Sequence, residues 1–364
     1  MRGKVIIAGG GTGGHIFPAI AIANALKKER TDMEILFVGA KGKMEMEKVP
    51  QAGYAIKGLD IAGFNRSSLI KNIGLPFKLV RSFFQVRTII NGFKPNAVVG
   101  VGGYSSFPVL RYAQAKGIPT FIHESNSFAG KSNQLLGKKA TEVFVASDGM
   151  QQFFPAGKLC LTGNPIRPAI VKASSISKEA ALHFFGLEQG KTTVLAVGGS
   201  LGARSINEAI ANGLKDLQLN GVQLIWQTGK TDSHKWKDAA KGRVDVWVGE
   251  FITEMEMAYA AADVVISRAG AMAVSELCVV EKPVVFVPYP FAAEDHQTVN
   301  AKSLVQKGAA LMVKDSEAKD TLMQQIIELA NDSNKQEQLK QNIARLAVIN
   351  ADERIAKEIL KHID

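Results

Sequence analysis

The residues of this chain best suited to chemistry are glycines that directly follow short apolar segments. The first segment, residues 4–8 (KVIIA), leads into residues 9–14 (GGGTGG) and then into a helical pattern at residues 19–28. Turns without side chains at a helix start allow backbone N–H groups and the helix dipole to approach an anion, typically a diphosphate. Three more turns of small residues follow apolar segments, at residues 100–106 (GVGGYSS), 198–202 (GGSLG) and 267–276 (SRAGAMAVSE). The repetition favours a phosphorylated ligand, whereas any one turn alone could simply reverse the chain.

The first turn also fits the GxGxxG pattern of dinucleotide-binding domains. In those domains an Asp or Glu at the end of the second strand binds the ribose hydroxyls. Here the corresponding segment, Phe37-Val38, is followed by Gly39-Ala40-Lys41. The chain therefore lacks the acidic residue that would bind the ribose of NAD, and an NAD-dependent oxidoreductase is the least favoured class.

The fourth turn ends in Glu276, about two helical turns after its small residues. A carboxylate at this position could accept hydrogen bonds from both hydroxyls of a ribose. The alternative is an ordinary solvated helix residue.

The sequence contains none of the usual metal-binding patterns. It has no DxD pair, its six histidines have no HxxH-like spacing, and Cys160 and Cys278 belong to no CxxC pair. Such patterns supply the usual ligands of bound metal ions. The sequence therefore predicts neither a metal site nor a cofactor.

Composition and charge are typical of a globular protein that meets an anionic partner. The 364 residues suffice for two domains, 46% are hydrophobic, and no window is apolar enough to span a membrane. The N-terminal apolar segment is too short for a signal peptide, so we expect the chain to remain in the cytoplasm. Residues 1–165 hold 21 Lys/Arg against 9 Asp/Glu, whereas residues 166–364 hold 23 against 25. The first half is expected to meet a nucleic acid, an anionic membrane or a phosphorylated ligand.

Short apolar segments alternate with helical patterns along the chain, which predicts an α/β protein with parallel sheets. The predicted strands are residues 4–8, 35–38, 97–101, 120–123, 143–145, 194–197, 223–226, 244–248, 264–266 and 284–287. The segment at residues 4–14 (KVIIAGGGTGG) is similar to the segment at residues 193–202 (TVLAVGGSLG). Each copy is a strand, a glycine turn and a helix, which is the opening unit of a Rossmann-like domain. Two similar halves are therefore expected.

The expected domain boundary is the segment at residues 163–165 (GNP), which interrupts the alternating pattern. We expect a first domain at residues 1–163, a second at 164–345, and a closing segment at 346–364 that packs back on the first domain. Its helix, at residues 351–363, has Asn350 as N-cap and Ile355, Ile359 and Ile363 on one face.

Together, these motifs resemble one family, the cytoplasmic glycosyltransferases of peptidoglycan synthesis. The matching segments are, in family order, residues 10–19 (GGTGGHIFPA), 100–106 (GVGGYSS), 123–126 (HESN), 163–167 (GNPIR), 198–203 (GGSLGA), 267–276 (SRAGAMAVSE) and 295–301 (DHQTVNA). The family moves N-acetylglucosamine from its UDP derivative onto undecaprenyl-diphospho-N-acetylmuramoyl-pentapeptide. The resemblance implies the GT-B fold, two Rossmann-like domains with parallel sheets facing a cleft. It further implies that the first domain binds the acceptor and the second the UDP-sugar donor.

The resemblance also implies roles for individual residues in donor binding. The diphosphate would lie at Ser200 and at the helix start formed by Ala271, Met272, Ala273, Val274 and Ser275, with Arg167 nearby. Glu276 would bind the ribose, and the backbone of Ile252 the uracil. The transferred sugar would be surrounded by Thr12, Gly13, Gly14, Asn126 and Gln297. Many family members have a threonine where this chain has Ala273, so a hydroxyl contact is lost at that position.

The family reaction converts an α-linked UDP sugar into a β-linked product, and this inversion implies in-line attack by the acceptor C4 hydroxyl. The attack needs a base, and N–H dipoles at a helix start are expected to stabilise the leaving diphosphate in place of a metal. His15 is the leading candidate for the base because its imidazole can be neutral near pH 7. It could instead bind phosphate or stabilise the turn. Glu124 is the rival base, and Tyr104 and His123 are expected to position the acceptor.

Residues 67–88 mix apolar and basic side chains, which favours docking on the anionic inner face of the cytoplasmic membrane. The apolar members are Leu69, Ile70, Ile73, Leu75, Phe77, Leu79, Val80, Phe83 and Phe84, and the basic members are Lys71, Lys78, Arg81 and Arg87. The alternative is a buried core helix with extended basic side chains at its edge. The expectation is a peripheral protein on the cytoplasmic face of the inner membrane that binds no nucleic acid.

Three other classes share parts of this pattern. A glycosyltransferase acting on diacylglycerol would have the same fold, but GGTGGHIFPA together with HESN favours the peptidoglycan acceptor. A UDP-sugar epimerase would have no use for a membrane-facing surface. A non-catalytic UDP-sugar sensor is distinguished from an enzyme only by turnover.

Overall fold

The computed structural model describes residues 3–63 and 74–363 and divides the chain into two compact units. The first unit comprises Met1–Arg167 and Asn350–Asp364, and the second comprises Pro168–Ile349. Residues 164 and 165, expected to open the second domain, thus fall within the first unit together with residue 163. The reason is that Asn164 Nδ2 donates to the Ser125 carbonyl at 3.0 Å and the Gly163 N–H donates to the Val145 carbonyl at 3.2 Å.

The described residues of the first unit form one parallel sheet. Its strands are β1 (Lys4–Ala8), β2 (Glu34–Ala40), β3 (Ala55–Leu59), β4 (Ala97–Gly100), β5 (Thr120–Glu124), β6 (Glu142–Val145) and β7 (Leu159–Leu161). They lie in the order β3-β2-β1-β4-β5-β6-β7. Val5 and Ile7 of β1 pack in one core cluster, whereas Ile6 and Ala8 pack in another. Both faces of the sheet are therefore covered, as parallel sheets require.

The second unit repeats this arrangement with one strand fewer among the described residues. Its strands are β8 (Thr192–Val197), β9 (Val222–Gln227), β10 (Val246–Gly249), β11 (Val264–Ser267), β12 (Val284–Phe286) and β13 (Leu311–Met312). Their order is β10-β9-β8-β11-β12-β13. Two α/β units with parallel sheets confirm the predicted fold class.

Helices cover the sheets of both units. Those before the second unit are α1 (Gly13–Glu29), α2 (Glu45–Gln51), α3 (Leu75–Phe93), α4 (Ser106–Ala115) and α5 (Lys131–Gly137). The second unit contains α6 (Pro168–Val171), α7 (Lys178–Phe185), α8 (Arg204–Leu219), α9 (Ser233–Ala239), α10 (Met255–Ala261), α11 (Ala271–Val279), α12 (His296–Val305), α13 (Ala318–Asn331) and α14 (Ser333–Ala344), and the chain ends with α15 (Ala351–Leu360). Within the described ranges, each helix is too short or too polar to cross a membrane.

The closing helix α15 packs on the first unit, against α1. Ile355 and Ile359 are fully buried in the same core cluster as Ile22 and Leu26 of α1. Asn350 is its N-cap residue, but its side chain makes no capping hydrogen bond within the described part of the chain. The helix is held by this apolar face, which the sequence spacing had indicated.

All ten predicted strands are present within two residues of their predicted bounds. Strands β3, β7 and β13 were not predicted, and each lies at the edge of its sheet. Edge strands are half-exposed, and β7 and β13 are only three and two residues long. β3 contains Lys57 and Gly58 and β7 is short, so neither has the apolar run of four or more residues that predicts a buried strand. β13 lies in such a run, residues 309–313 (AALMV), which was not predicted as a strand.

Candidate active site

The four turns of small residues occupy equivalent places in the two units. In the first unit β1 and β4 are neighbours, and the order of strands reverses between them; β8 and β11 have the same relation in the second unit. Open α/β sheets bind ligands at such switch points, beyond the carboxyl ends of the strands. The turns at residues 9–14 and 100–106 follow β1 and β4, and those at 198–202 and 267–276 follow β8 and β11. Each unit therefore has a pair of small-residue turns at its switch point.

In the first unit, the two turns lie against one another. A Cβ atom on Gly103 would overlap the carbonyl oxygen of Gly10, and one on Gly102 would lie 2.8 Å from Nε2 of His15. Both glycines also have positive φ, +94° for Gly102 and +82° for Gly103. Only glycine fits this close approach, which brings His15 beside the turn that follows β4.

The ring of His15 is oriented by the backbone of its own turn. Its Nδ1 lies 3.1 Å from the carbonyl oxygen of Gly10 and 3.4 Å from Oγ1 of Thr12. A carbonyl oxygen only accepts hydrogen bonds, so Nδ1 carries the proton, and in the neutral ring Nε2 carries the lone pair. His15 is the third residue of α1, after Gly13 and Gly14, whose N–H groups have no acceptor within the helix. The geometry combines a basic nitrogen with backbone donors at a helix start.

The rival base, Glu124, is fully occupied as a hydrogen-bond acceptor. Its Oε1 accepts from the N–H and the side-chain Nδ2 of Asn126, at 3.1 and 3.3 Å. Its Oε2 accepts from the N–H of Gly130 at 3.1 Å and from Nδ2 of Asn133 at 2.8 Å. The carboxylate is also buried. Because four donors satisfy it, Glu124 is well placed to shape the loop before α5 and poorly placed to take a proton.

His123 is buried inside the first unit. Its Nε2 lies 3.4 Å from the Gly163 carbonyl, and Ser125 Oγ lies 3.5 Å from its Nδ1. Burial lowers the pKa of His123 to about 4, although the hydrogen bond to Gly163 opposes the shift. A neutral, fully buried ring argues against the expected contact with an acceptor.

Tyr104 lies at the junction of the two turns. Its ring would be 3.8 Å from a Cβ atom on Gly11, and its hydroxyl oxygen is buried without a hydrogen-bond partner among residues 3–63 and 74–363. Burial, and then the charge of Glu45, raise the pKa of Tyr104. A neutral phenol that faces the first turn is compatible with the expected role in acceptor positioning.

Arg167 belongs to the first unit, although the resemblance implied a role in donor binding. Its guanidinium lies over the ring of Phe17, 5.6 Å from the ring centre. Phe17 is on the first turns of α1, and its ring would be 3.1 Å from a Cβ atom on Gly13. The cation therefore lies near the glycine turn of the first unit.

In the second unit, Gln227 connects the expected diphosphate and uracil sites. Its Nε2 donates to the Gly199 carbonyl at 3.3 Å, and its Oε1 accepts from the N–H of Ile252 at 3.1 Å. Ser200 lies in the same glycine turn, exposed, and its carbonyl accepts the N–H of Lys230 at 3.1 Å. Gln227 was not predicted as a site residue; its only signal in the sequence is that a polar residue ends the buried strand β9. Because the Ile252 N–H already donates to Gln227, a uracil at this position would bind the Ile252 carbonyl or displace the Gln227 side chain from the N–H.

Glu276 is buried rather than solvated. It is 7% exposed and accepts a hydrogen bond from the Tyr259 hydroxyl at 3.2 Å. The first turn of α11, Ala271, Met272, Ala273, Val274 and Ser275, is half-buried and follows the extended N-cap residue Gly270. This burial excludes the alternative that Glu276 is an ordinary solvent-exposed helix residue. A buried carboxylate requires polar partners.

Arg268 lies in the turn after β11 and was not identified from the sequence. Its Nη1 donates to the carbonyls of Val287 and Pro288, at 2.9 and 3.1 Å, and forms an ion pair with Asp315. Ser205, in the first turn of α8, donates to the same carboxylate. This network fixes the turn before α11 relative to the start of α8.

Gln297 lies near the start of α12 and also orders a loop. Its Oε1 accepts the N–H of Tyr289 at 3.0 Å. The preceding residues Glu294 and Asp295 have φ of +55° and +53°, a costly conformation for residues other than glycine. The expected sugar contact at Gln297 thus lies in a tightly constrained segment.

Two Rossmann-like units, each with a pair of small-residue turns at its switch point, define the GT-B class. The model for the glycosyltransferase family 28 N-terminal domain matches residues 5–145, and that for the C-terminal domain matches residues 193–359. The chain belongs to glycosyltransferase family 28.

Relatives of similar length support this assignment. A protein of Phocaeicola vulgatus is 50% identical, with 99% of this chain and 96% of the relative covered. One of Cytophaga hutchinsonii is 47% identical, with 99% and 97% covered. Both are named UDP-N-acetylglucosamine--N-acetylmuramyl-(pentapeptide) pyrophosphoryl-undecaprenol N-acetylglucosamine transferase.

Solved structures agree on the fold. The crystal structure of Acinetobacter baumannii MurG is 29% identical, with a TM-score of 0.80 and coverage of 99% of this chain and 100% of that one. A UDP-N-acetylglucosamine 2-epimerase is 14% identical, with a TM-score of 0.68 and coverage of 100% and 96%. The second likeness concerns the fold alone, which transferases and epimerases share.

Proposed function

We propose that this glycosyltransferase moves N-acetylglucosamine from UDP-N-acetylglucosamine to N-acetylmuramyl-(pentapeptide) pyrophosphoryl-undecaprenol. One observation carries the proposal: relatives with this name are about 50% identical to the chain over 99% of its length. The site geometry supports it, because each unit offers backbone N–H groups at a helix start. The proposed transfer inverts the anomeric carbon, with the acceptor C4 hydroxyl as nucleophile.

In this reaction, His15 accepts the proton of the acceptor hydroxyl. The hydrogen bond from its Nδ1 to Gly10 leaves the lone pair of the neutral ring on Nε2. Glu124 instead orders the loop through Asn126 and Asn133. Thr12, Gly13, Gly14 and Asn126 are proposed to surround the transferred sugar, and Tyr104 to position the acceptor. Because His123 is fully buried, we do not propose that it contacts the acceptor.

On the donor side, the first turn of α11 and Ser200 stabilise the charge that develops on the leaving UDP. Preorganised N–H dipoles can provide such stabilisation without a metal. Glu276 is proposed to bind the ribose and the backbone of Ile252 the uracil, with Gln297 contributing to the sugar site. Arg167 is proposed as a further cation for the diphosphate on the family resemblance alone; within the first unit its guanidinium lies over the Phe17 ring.

The proposal is tested by incubating the pure protein with UDP-N-acetylglucosamine and the lipid-linked acceptor. Equimolar UDP and disaccharide-lipid are expected. Omission of the acceptor should abolish UDP release. Formation of an epimerised UDP sugar would instead identify an epimerase, and donor binding without turnover would identify a sensor. Binding of NADH in preference to UDP-N-acetylglucosamine would overturn the donor assignment.

We expect the reaction to be independent of metal ions. The chain has no DxD pair, and among the described residues no group of three or more His, Cys, Asp or Glu could hold a metal. The full rate is expected in excess EDTA, measured as UDP release, and added Mg²⁺ should not increase it. A strict requirement for Mg²⁺ or Mn²⁺ would mean that the leaving group is stabilised in another way.

We also propose that the chain docks on an anionic membrane through α3, and not on a nucleic acid. Residues 67–73 of the expected segment lie outside the described residues. From Leu75 onward, Ser82, Val86 and Ile90 form the buried side of α3. Phe77, Val80 and Phe84 are 79%, 57% and 66% exposed. Exposed aromatic rings beside basic residues suit the lipid interface better than a protein core, which supports a peripheral position on the inner face of the membrane.

A Phe77→Ser/Phe84→Ser variant is expected to lose at least tenfold in binding to anionic liposomes. Each phenylalanine that enters an apolar phase contributes about 1.5–3 kcal/mol, and both rings are well exposed. Phe83 is half-buried and therefore a poorer choice. Co-sedimentation should need anionic lipid and weaken with salt. The matched control is Phe184→Ser, an exposed aromatic of the second unit; equal losses in both variants would contradict docking through α3.

A further inference from the structure

A buried glutamate lies directly beneath the first glycine turn. Glu45, the first residue of α2, is 1% exposed. Its Oε2 accepts the N–H of Gly11 and its Oε1 accepts the N–H of Ala40, both at 2.9 Å. The carboxyl group fills the space that a Cβ atom on Gly10 would need. Glutamate is almost never fully buried unless it is paired, so this side chain depends on the two N–H groups.

One peptide group connects Glu45 to His15. The N–H of the Gly10–Gly11 peptide donates to Glu45, and the carbonyl of the same peptide accepts from Nδ1 of His15 at 3.1 Å. Both hydrogen bonds polarise this amide in the same direction, and such chains strengthen one another in a medium of low dielectric. The carboxylate therefore makes the Gly10 carbonyl a better acceptor for Nδ1–H.

We propose that Glu45 is a positioning residue that acts on His15 through the Gly10–Gly11 peptide. It holds the imidazole in the Nδ1–H tautomer and directs the Nε2 lone pair to the acceptor hydroxyl. In hydrolases with a carboxylate–imidazole pair, the carboxylate selects the tautomer by direct contact; here one amide lies between them. The inference rests on the proposed function, because that function makes His15 the base.

The first test needs no substitution. Nitrogen-15 NMR of the histidine rings in the full-length protein, at a pH where His15 is neutral, should show its Nδ1 protonated and its Nε2 unprotonated. A His15→Asn sample identifies the signal. An Nε2–H tautomer for His15 in the unaltered protein would overturn the proposal, even if every Glu45 variant failed to fold.

The second test compares Glu45→Gln with Val49→Ala. The glutamine side chain has nearly the volume of the glutamate, but its amide group would face one of the two N–H donors. We expect kcat to fall about ten- to a hundredfold, the range found when the outer partner of a metal-bound histidine is removed. The KM for the donor should stay unchanged, and the Nε2–H tautomer should increase.

Val49→Ala is the matched control, because Val49 is buried on the same helix, α2. It should lower the melting temperature while kcat and the His15 tautomer remain as in the unaltered protein. If Glu45→Gln lowered stability but left the tautomer unchanged, Glu45 would be only structural. A protein without transferase activity would contradict the proposed function, whereas the tautomer readout would still decide the role of Glu45.

Discussion

Replacement of His15 by alanine is expected to lower kcat at least a hundredfold while the affinity for UDP stays near its original value. General-base catalysis contributes about 10²–10⁴-fold. In the described structure, the Nε2 lone pair of His15 lies beside Gly102, at the switch point of the first unit. UDP is proposed to bind the second unit, so its affinity should not depend on this ring. Steady-state kinetics with saturating acceptor and calorimetric titration with UDP measure the two quantities.

A His15→Asn variant separates proton transfer from positioning. The asparagine amide can still donate to the Gly10 carbonyl, but it has no basic nitrogen. It should be as slow as His15→Ala. Recovery of kcat in His15→Asn would assign a structural role to His15. Survival of kcat in His15→Ala, with a collapse in Glu124→Gln at unchanged melting temperature, would make Glu124 the base.

Replacement of Glu276 by alanine is expected to raise the donor KM roughly ten- to a hundredfold. Hydrogen bonds to a charged acceptor contribute about 1.5–3 kcal/mol, and each 1.4 kcal/mol is about tenfold in affinity. Glu276 is buried on α11 and accepts a hydrogen bond from Tyr259 of α10, so the substitution also leaves the Tyr259 hydroxyl without this acceptor. Initial rates at varied UDP-N-acetylglucosamine provide the measurement, and the acceptor KM should stay constant.

Cys278→Ala controls for damage to the helix, since Cys278 is buried on α11 two residues beyond Glu276. It should lower the melting temperature without changing the donor KM. An unchanged donor KM in Glu276→Ala would remove the ribose assignment. An equal rise in both variants would attribute the effect to a loosened helix.

The sequence determined the local elements of this protein. The alternation of apolar and helical segments identified ten strands, because buried parallel strands are continuous apolar runs. The residues at 9–14 and 198–202 indicated where each sheet would approach an anion, because the absence of side chains is a local property. The spacing of Ile355 and Ile359 likewise predicted the apolar face of α15. Edge strands such as β3 lacked this signal.

Only the tertiary structure decided which polar groups beside these turns are already engaged. Glu124 was a possible base in the sequence, but Gly130 and Asn133 fold back to satisfy its carboxylate. Glu45 lies in a charged stretch, KGKMEMEK, that resembles a solvated surface. Its partner Gly11 is 34 residues away. Hydrogen bonding and burial depend on segments that meet in space, and a buried charge is tolerated only where such partners converge, which residue types and spacing alone do not specify.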